Sequence, residues 1–302
     1  MERHPYFDLW LHDTPELAEH LGRKIVERLT LHEWPLSCVQ LLQLADGGQV
    51  IYKSQLRATS VEPDFITAIN SDRVGVPDHI RSRLPQAEIL GTVKNSVGMI
   101  IEYINAPRLE DLQLTEAEIV EHGNLLQSEL SQFPVDLPVY IDLSSLAKWS
   151  AFIEETLSML RYLIGQQLFH LTSAATVKSL EEWSQSQAVM AALQAPSTLN
   201  HGDLSGENVF LTSQGYKIID WQRPVRGPAE LDRVTYLFSM GVDPLKYTHR
   251  CMNELNWFIH LHWFVECKLH WFPPGESYDR QVAELASLIL RPERAYSSGG
   301  TL

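Results

Sequence analysis

The sequence predicts an α+β fold, mainly β up to about Tyr103 and mainly helical after it. Residues 37–44 and 49–54 are apolar runs on either side of Asp46-Gly47-Gly48, the pattern of a β-hairpin. Residues 97–104 form another apolar strand run, which passes into the polar Asn105-Ala106-Pro107-Arg108. Beyond that point apolar residues recur at helical spacing, as in Trp149, Phe152, Ile153, Leu157, Leu160 and Leu163.

Taken in order, the elements begin with a helix at Thr14-Pro15-Glu16. Thr14 suits the N-cap, Pro15 the first helical position and Glu16 the first turn. Leu17, Leu21, Ile25 and Leu29 then give it one buried face, expected to pack on the β part. The strand at 37–44, the turn and the strand at 49–54 follow, with Lys53 on the second strand. A helix begins near Glu62-Pro63-Asp64, because proline is tolerated only in a first turn. Thr115-Glu116-Ala117-Glu118 opens another helix with an acidic first turn. Long helical stretches are expected over 144–170, 179–193 and 253–272, and Pro196 ends the second. His260 and His262 are two apart, so on a helix they face different ways and do not form a metal pair. Ser297-Ser298-Gly299-Gly300 reads as a flexible end.

Composition excludes several classes. The chain has 302 residues, enough for two lobes around a sizeable core. Its formal net charge is −14, from 24 basic and 38 acidic residues. Such a surface repels phosphate backbones, so no nucleic-acid partner is expected, and a cationic small substrate is favoured. Cys38, Cys251 and Cys267 are odd in number and far apart, which suggests neither a disulfide framework nor a zinc site. With no signal peptide at the start, a cytoplasmic location is expected. No apolar run is long enough to span a bilayer, so no membrane partner is expected either.

The chemistry is concentrated in His201-Gly202-Asp203-Leu204-Ser205-Gly206-Glu207-Asn208 and in Ile219-Asp220-Trp221. Between them Val209-Phe210-Leu211 and Lys217-Ile218-Ile219 flank a turn at Ser213-Gln214-Gly215. A hairpin there gathers one carboxylate and one amide from the first loop and a second carboxylate from its end. Phosphoryl transfer from a nucleotide needs such a set: one Asp for the attacking hydroxyl, an Asn and an Asp for Mg²⁺. Oxygen ligands suit that hard cation. A lone loop carboxylate is most often a cap or a turn residue; the joint pattern is far rarer. There is no G-x-x-x-x-G-K-[ST], which excludes a P-loop.

The stretch from His201 to Trp221 resembles the aminoglycoside phosphotransferase and choline kinase-like family. Its H-G-D-x-x-x-x-N motif matches His201 to Asn208, and its I-D-W matches Ile219-Asp220-Trp221. Gly227-Pro228-Ala229-Glu230-Leu231-Asp232 resembles the G-x-P-x-x-D-L that follows. The resemblance implies a bilobal protein kinase-like fold. Residues 1–103 would be an N-terminal helix and a nucleotide-binding small lobe, and 104–302 a catalytic and acceptor-binding large lobe. It implies ATP and Mg²⁺ as cofactors and a small-molecule hydroxyl as acceptor. Asp203 would be the catalytic base, Asn208 and Asp220 the metal ligands, and His201 and Asp232 structural supports. Lys53 would contact the α/β-phosphates, paired with Glu62, for which Asp64 is the rival. Glu102 and Ile104 would meet adenine through their backbone. Glu207 is expected to face solvent, and Arg223 and Arg226 to be ordinary surface arginines.

One stretch departs from the pattern. The phosphate-covering loop is expected at about Thr30-Leu31-His32-Glu33-Trp34-Pro35-Leu36, and it contains no glycine. That keeps open a catalytically silent kinase-like binding module. A protein kinase is the weaker alternative, since only 12 residues separate Asp220 from Asp232, little room for a peptide-docking segment. The identity of the acceptor, the choice of ATP over GTP and the oligomeric state are left open by the sequence.

Overall fold

The computed structural model describes residues 1–71, 75–272 and 278–291. The expected flexible end at 297–300 lies outside them. In chain order the strands are β1 Glu2–Arg3, β2 Trp10–Leu11, β3 Ile25–Trp34, β4 Ser37–Leu44, β5 Gln49–Leu56, β6 Ala87–Val93, β7 Ser96–Glu102, β8 Ile141–Asp142, β9 Ser197–Asn200, β10 Val209–Thr212, β11 Gly215–Ile218 and β12 Val225–Pro228. The helices are α1 Thr14–Leu21, α2 Glu62–Asn70, α3 Asp78–Arg81, α4 Glu116–Leu130, α5 Leu146–Gly165, α6 Ala174–Ser184, α7 Gln187–Ala192, α8 Leu231–Ser239, α9 Arg250–Glu266 and α10 Asp279–Leu290. The α+β class expected from the sequence is observed. The chain divides into two compact units, residues 1–140 with 201–225, and 141–200 with 226–302.

The first unit is built on a five-stranded antiparallel sheet in the order β3-β4-β5-β7-β6. Strand alternation gives the sheet two different faces. On one, Cys38, Leu42, Leu44, Tyr52 and Ile100 pack with Leu9, Leu11 and Leu17 from the N-terminal segment and α1. The His12 backbone N–H donates to the Tyr52 hydroxyl at 2.7 Å, which ties that segment down. The other face carries Lys53, whose strand partners are Val39 and Met99.

Helix α1 is shorter than expected. Its N-cap is Asp13, not Thr14: Asp13 accepts from the Glu16 N–H and Glu16 returns the bond to Asp13, a capping box. It ends at Gly22, which takes the left-handed conformation with φ 60°. Ile25 and Leu29 therefore belong to β3, and their spacing from Leu17 and Leu21 does not extend the helix. Strand β3 also absorbs most of the expected phosphate-covering loop. Trp34 pairs with Ser37, leaving only Pro35 and Leu36 in the turn.

Helix α4 starts as expected, with Thr115 capping and Glu118 completing the box. In the second unit the three-stranded sheet runs β8-β12-β9. The helix expected over 179–193 is two helices, α6 and α7, because Ser186 caps a new start by accepting from the Val189 N–H. The aromatic stretch after residue 250 forms α9 and a π-helical turn, Cys267–Trp271. His262 is buried there and its ring Nδ1 lies 2.8 Å from the Thr156 hydroxyl, a core role. No helix among the described residues is long and apolar enough to cross a membrane.

Candidate active site

The site is assembled within the first unit by β5, α2 and the hairpin β10–β11 with the loops at its ends. Lys53 is 4 % exposed and its Nζ donates to Glu62 at 2.6 Å. It also donates to the Asp220 carboxylate. Asp64, the rival partner, instead pairs with Arg57 at 2.6 Å. Glu62 reaches Lys53 because it is the first residue of α2, with Pro63 beside it in the first turn. The Val61 N–H donates to the Gln222 carbonyl at 3.0 Å, so the start of α2 is tied to the chain just past Asp220.

Buried Glu62 and partly exposed Asp220 share one ammonium, and their proton affinities diverge. Burial pushes the Asp220 carboxyl up, but the charge and hydrogen bond of Lys53, with a 2.7 Å bond from Gln222, outweigh it and leave it lowered to about 2. Burial, reinforced by the charge of Asp220, raises Glu62 against the pull of Lys53. Burial also opposes the charge on Lys53, but the two carboxylates overcome it and raise the ammonium. Asp220 stands in the left-handed region at φ 68°, costly for a residue with a Cβ and held here by its bonds on both sides.

The key residues of the His201–Asn208 motif each have a defined place. His201 is fully buried and its Nε2 donates to the Ile219 carbonyl at 2.8 Å, next to Asp220. Its Nδ1 accepts from the Asp203 N–H at 3.3 Å. Gly202 has φ +83°, and a Cβ there would stand 2.1 Å from the Arg223 carbonyl oxygen, so only glycine fits. Asp203 is partly exposed, and its carbonyl accepts from the Asn208 side-chain amide at 3.0 Å. The Asn208 carbonyl in turn accepts from the Ile219 N–H at 3.0 Å. The hairpin register, Val209 opposite Ile218, thus places Asn208 beside the entry to Asp220. Glu207 is exposed, as expected.

Trp221 holds this arrangement against α2. Its ring stacks on Phe65 at 4.6 Å, is tilted on Phe133 at 5.2 Å and meets His201 edge-on at 4.7 Å. Glu102 ends β7, its N–H donating to the Gln86 carbonyl at 2.7 Å and its carboxylate pairing with Lys217 of β11. Ile104 follows in the segment after β7, partly exposed. In the second unit Asp232 lies in the first turn of α8, 2 % exposed. Arg226 pairs with Asp142 at 2.9 Å rather than standing free at the surface. The structure brings Lys53, Glu62, Asp220, Asn208, Asp203 and His201 together. Sequence reasoning missed Gln222 and Lys217, whose partners lie on other elements or beyond a turn, and it gave Trp221 no packing role.

Residues 124–247 match the model of the phosphotransferase enzyme family. The fold is that of protein kinase-like enzymes. The choline/ethanolamine kinase family protein from Mesorhizobium loti is 15% identical with a TM-score of 0.59, covering 89% of this chain and 90% of that one. The aminoglycoside phosphotransferase APH(2")-IIa, solved with streptomycin and ATP, is 15% identical with a TM-score of 0.58, covering 93% and 100%. Spectinomycin phosphotransferase APH(9)-Ia, solved with ADP and spectinomycin, is 12% identical with a TM-score of 0.52, covering 93% and 94%. No curated protein sequence matches the chain. These solved structures share the fold of the chain, and its residues 124–247 match the phosphotransferase family model. The resemblance to the aminoglycoside phosphotransferase and choline kinase-like family, read from the motif, is borne out where the family model matches, from residue 124 to 247.

Proposed function

We propose that the protein transfers the γ-phosphoryl group of ATP to a hydroxyl of a small molecule. The observation that carries this reading is Lys53 held between Glu62 and Asp220, with Asn208 and Asp203 on the adjoining loop. In this reading residues 1–103 serve the nucleotide and residues 104–302 the acceptor. Lys53, oriented by Glu62, meets the α/β-phosphates. Its bond to Asp220 is exchanged for phosphate as the nucleotide arrives. The backbone of Glu102 and Ile104 meets adenine. Asp203 orients the acceptor hydroxyl and receives its proton late in a loose transition state.

The amide oxygen of Asn208 and the carboxylate of Asp220 are hard oxygen donors, the set that fits Mg²⁺. Bound there, the ion neutralises charge developing on the β- and γ-phosphates. His201 supports the Asp220 loop through the Ile219 carbonyl, and buried Asp232 is a structural residue. The acceptor is a small hydroxyl compound, and the acidic surface favours a cationic one. The three cysteines are buried and in no disulfide, which fits a reducing cytoplasm.

One feature favours a second reading, a kinase-like module that binds without turnover. The turn between β3 and β4 is only Pro35 and Leu36, and proline offers phosphate no N–H. Measuring Mg²⁺-dependent ATP consumption across amino alcohols, sugars and aminoglycosides separates the two. Consumption that depends on one acceptor class supports transfer. Nucleotide binding with no consumption across the whole panel supports the silent module.

A further inference from the structure

The N-terminal segment and the β3–β4 hairpin bring together three metal-ligating side chains far apart in sequence. The His4, Glu33 and Cys38 ligand atoms all lie within 4.8 Å of one another. Glu33 and Cys38 are direct partners across the hairpin, one step from the Pro35-Leu36 turn. His4 Nε2 lies 3.0 Å from Glu33 Oε2. His4 is 4 % exposed and Cys38 fully buried, while the Glu33 side chain is 42 % exposed and opens the cluster to solvent. Cys38 lies on the sheet face opposite Lys53, packed with Leu9 and Leu11, so the cluster is separate from the Lys53 site.

We propose that His4, Glu33 and Cys38 form a Zn²⁺ site, three protein ligands with a fourth position open to water on the Glu33 side. Tetrahedral zinc with Zn–N and Zn–O near 2.0 Å and Zn–S near 2.3 Å sets its ligand atoms about 3.3 to 3.6 Å apart. The observed cluster brackets that range, with one side at 3.0 Å and none beyond 4.8 Å. A mixed N, O and S set suits this borderline ion, whereas Mg²⁺ and Ca²⁺ take oxygen alone. The imidazole is already oriented: it stacks on Phe7 at 4.8 Å, and its backbone N–H donates to the Leu9 carbonyl at 2.8 Å. Coordination through Nε2 would put the ring proton on Nδ1: the His4–Glu33 bond would give way to metal bonds, and the 3.3 Å contact from the Tyr6 N–H would be lost, a cost set against the gain. Cys38 binds as the thiolate, so coordination releases its proton to solvent. The bound ion cross-links the N-terminal segment to the closed end of the hairpin. The proposal does not depend on the phosphotransferase reading.

The test is a Co²⁺ titration of the chelator-stripped full chain in excess Mg²⁺, followed in the near ultraviolet. One equivalent should bind with Kd of about 1 µM or tighter, give a sulfur-to-cobalt charge-transfer band, and be displaced by Zn²⁺. Cys38→Ser should abolish the band. Glu33→Gln, at an exposed position that leaves the core intact, should weaken binding roughly tenfold or more, as should His4→Ala. The proposal is overturned by the absence of a band, by a band that survives Cys38→Ser and so comes from Cys251 or Cys267, or by an affinity indifferent to both Glu33→Gln and His4→Ala.

Discussion

At the scale of single residues the proposed function assigns binding and chemistry to different side chains, and variants should separate them. Asp203 touches neither Lys53 nor Glu62 among the bonds that hold the nucleotide-side triad. Asp203→Asn should therefore leave ATP affinity nearly intact and lower turnover by about 10²- to 10⁴-fold, the usual contribution of a positioned proton acceptor. Titrating ATP by calorimetry alongside a turnover assay checks this, and equal loss of both would refute the role assigned to Asp203. Gly202 makes a structural demand beside it. Gly202→Ala should cost at least about 2 kcal/mol, since it adds a left-handed φ penalty to a clash with the Arg223 carbonyl. Denaturant unfolding measures that loss, and a neutral result would mean the loop takes another path.

At the scale of elements, one aromatic residue joins α2 to the loop that follows β11. Trp221 is 3 % exposed and packs on Phe65, Phe133 and His201. Trp221→Ala should cost about 3 to 5 kcal/mol in unfolding free energy. It should also loosen Glu62 from Lys53, so any activity should fall beyond what the lost stability explains. In the second unit Asp142 of β8 accepts from Lys148 of α5 at 2.6 Å, from Arg226 of β12 at 2.9 Å and from the Ser144 N–H at 3.0 Å. Burial raises its carboxyl, but these donors outweigh burial and lower it to about 2. A carboxylate lowered in the folded state stabilises above its unfolded value, near 3.8, and that stability is lost as pH falls from there to about 2. Asp142→Asn should thus cost about 1 to 2 kcal/mol at neutral pH. The gap from the parent should close by pH 2; a gap that stays constant with pH would show that the charge on Asp142 is not its source.

At the scale of the whole molecule, ligand binding should appear as thermal stabilisation. A ligand at about 100 times its dissociation constant adds roughly 2.7 kcal/mol. In a chain of this size that should raise the unfolding midpoint by several degrees, extrapolating from about 2–4 °C per kcal/mol. ATP with Mg²⁺ should shift it more than ATP alone, because Asn208 and Asp220 then share the ion with the phosphates. A shift indifferent to Mg²⁺ would argue against that pair as metal ligands, and no shift with either form would argue against the nucleotide site.

What the sequence determined by itself was local. Asp46-Gly47-Gly48, Thr115-Glu116-Ala117-Glu118 and the run from His201 to Trp221 could be read because turn, cap and loop chemistry act over a few residues. The same range explains the errors. The spacing of Leu17, Leu21, Ile25 and Leu29 fits a helix, yet Gly22 stops it and sheet pairing claims the rest. The sequence favours Glu62 ahead of Asp64, and the fold pairs it with Lys53; tertiary structure alone set Lys53 against Asp220 at a separation of 167 residues and placed Gln222 on the same carboxylate. It also turned two residues of the N-terminal half and a histidine near its start into one cluster, where cysteine spacing had suggested no metal. Such choices depend on which side chains burial leaves facing one another, and buried charge is tolerated only where the fold supplies its partner.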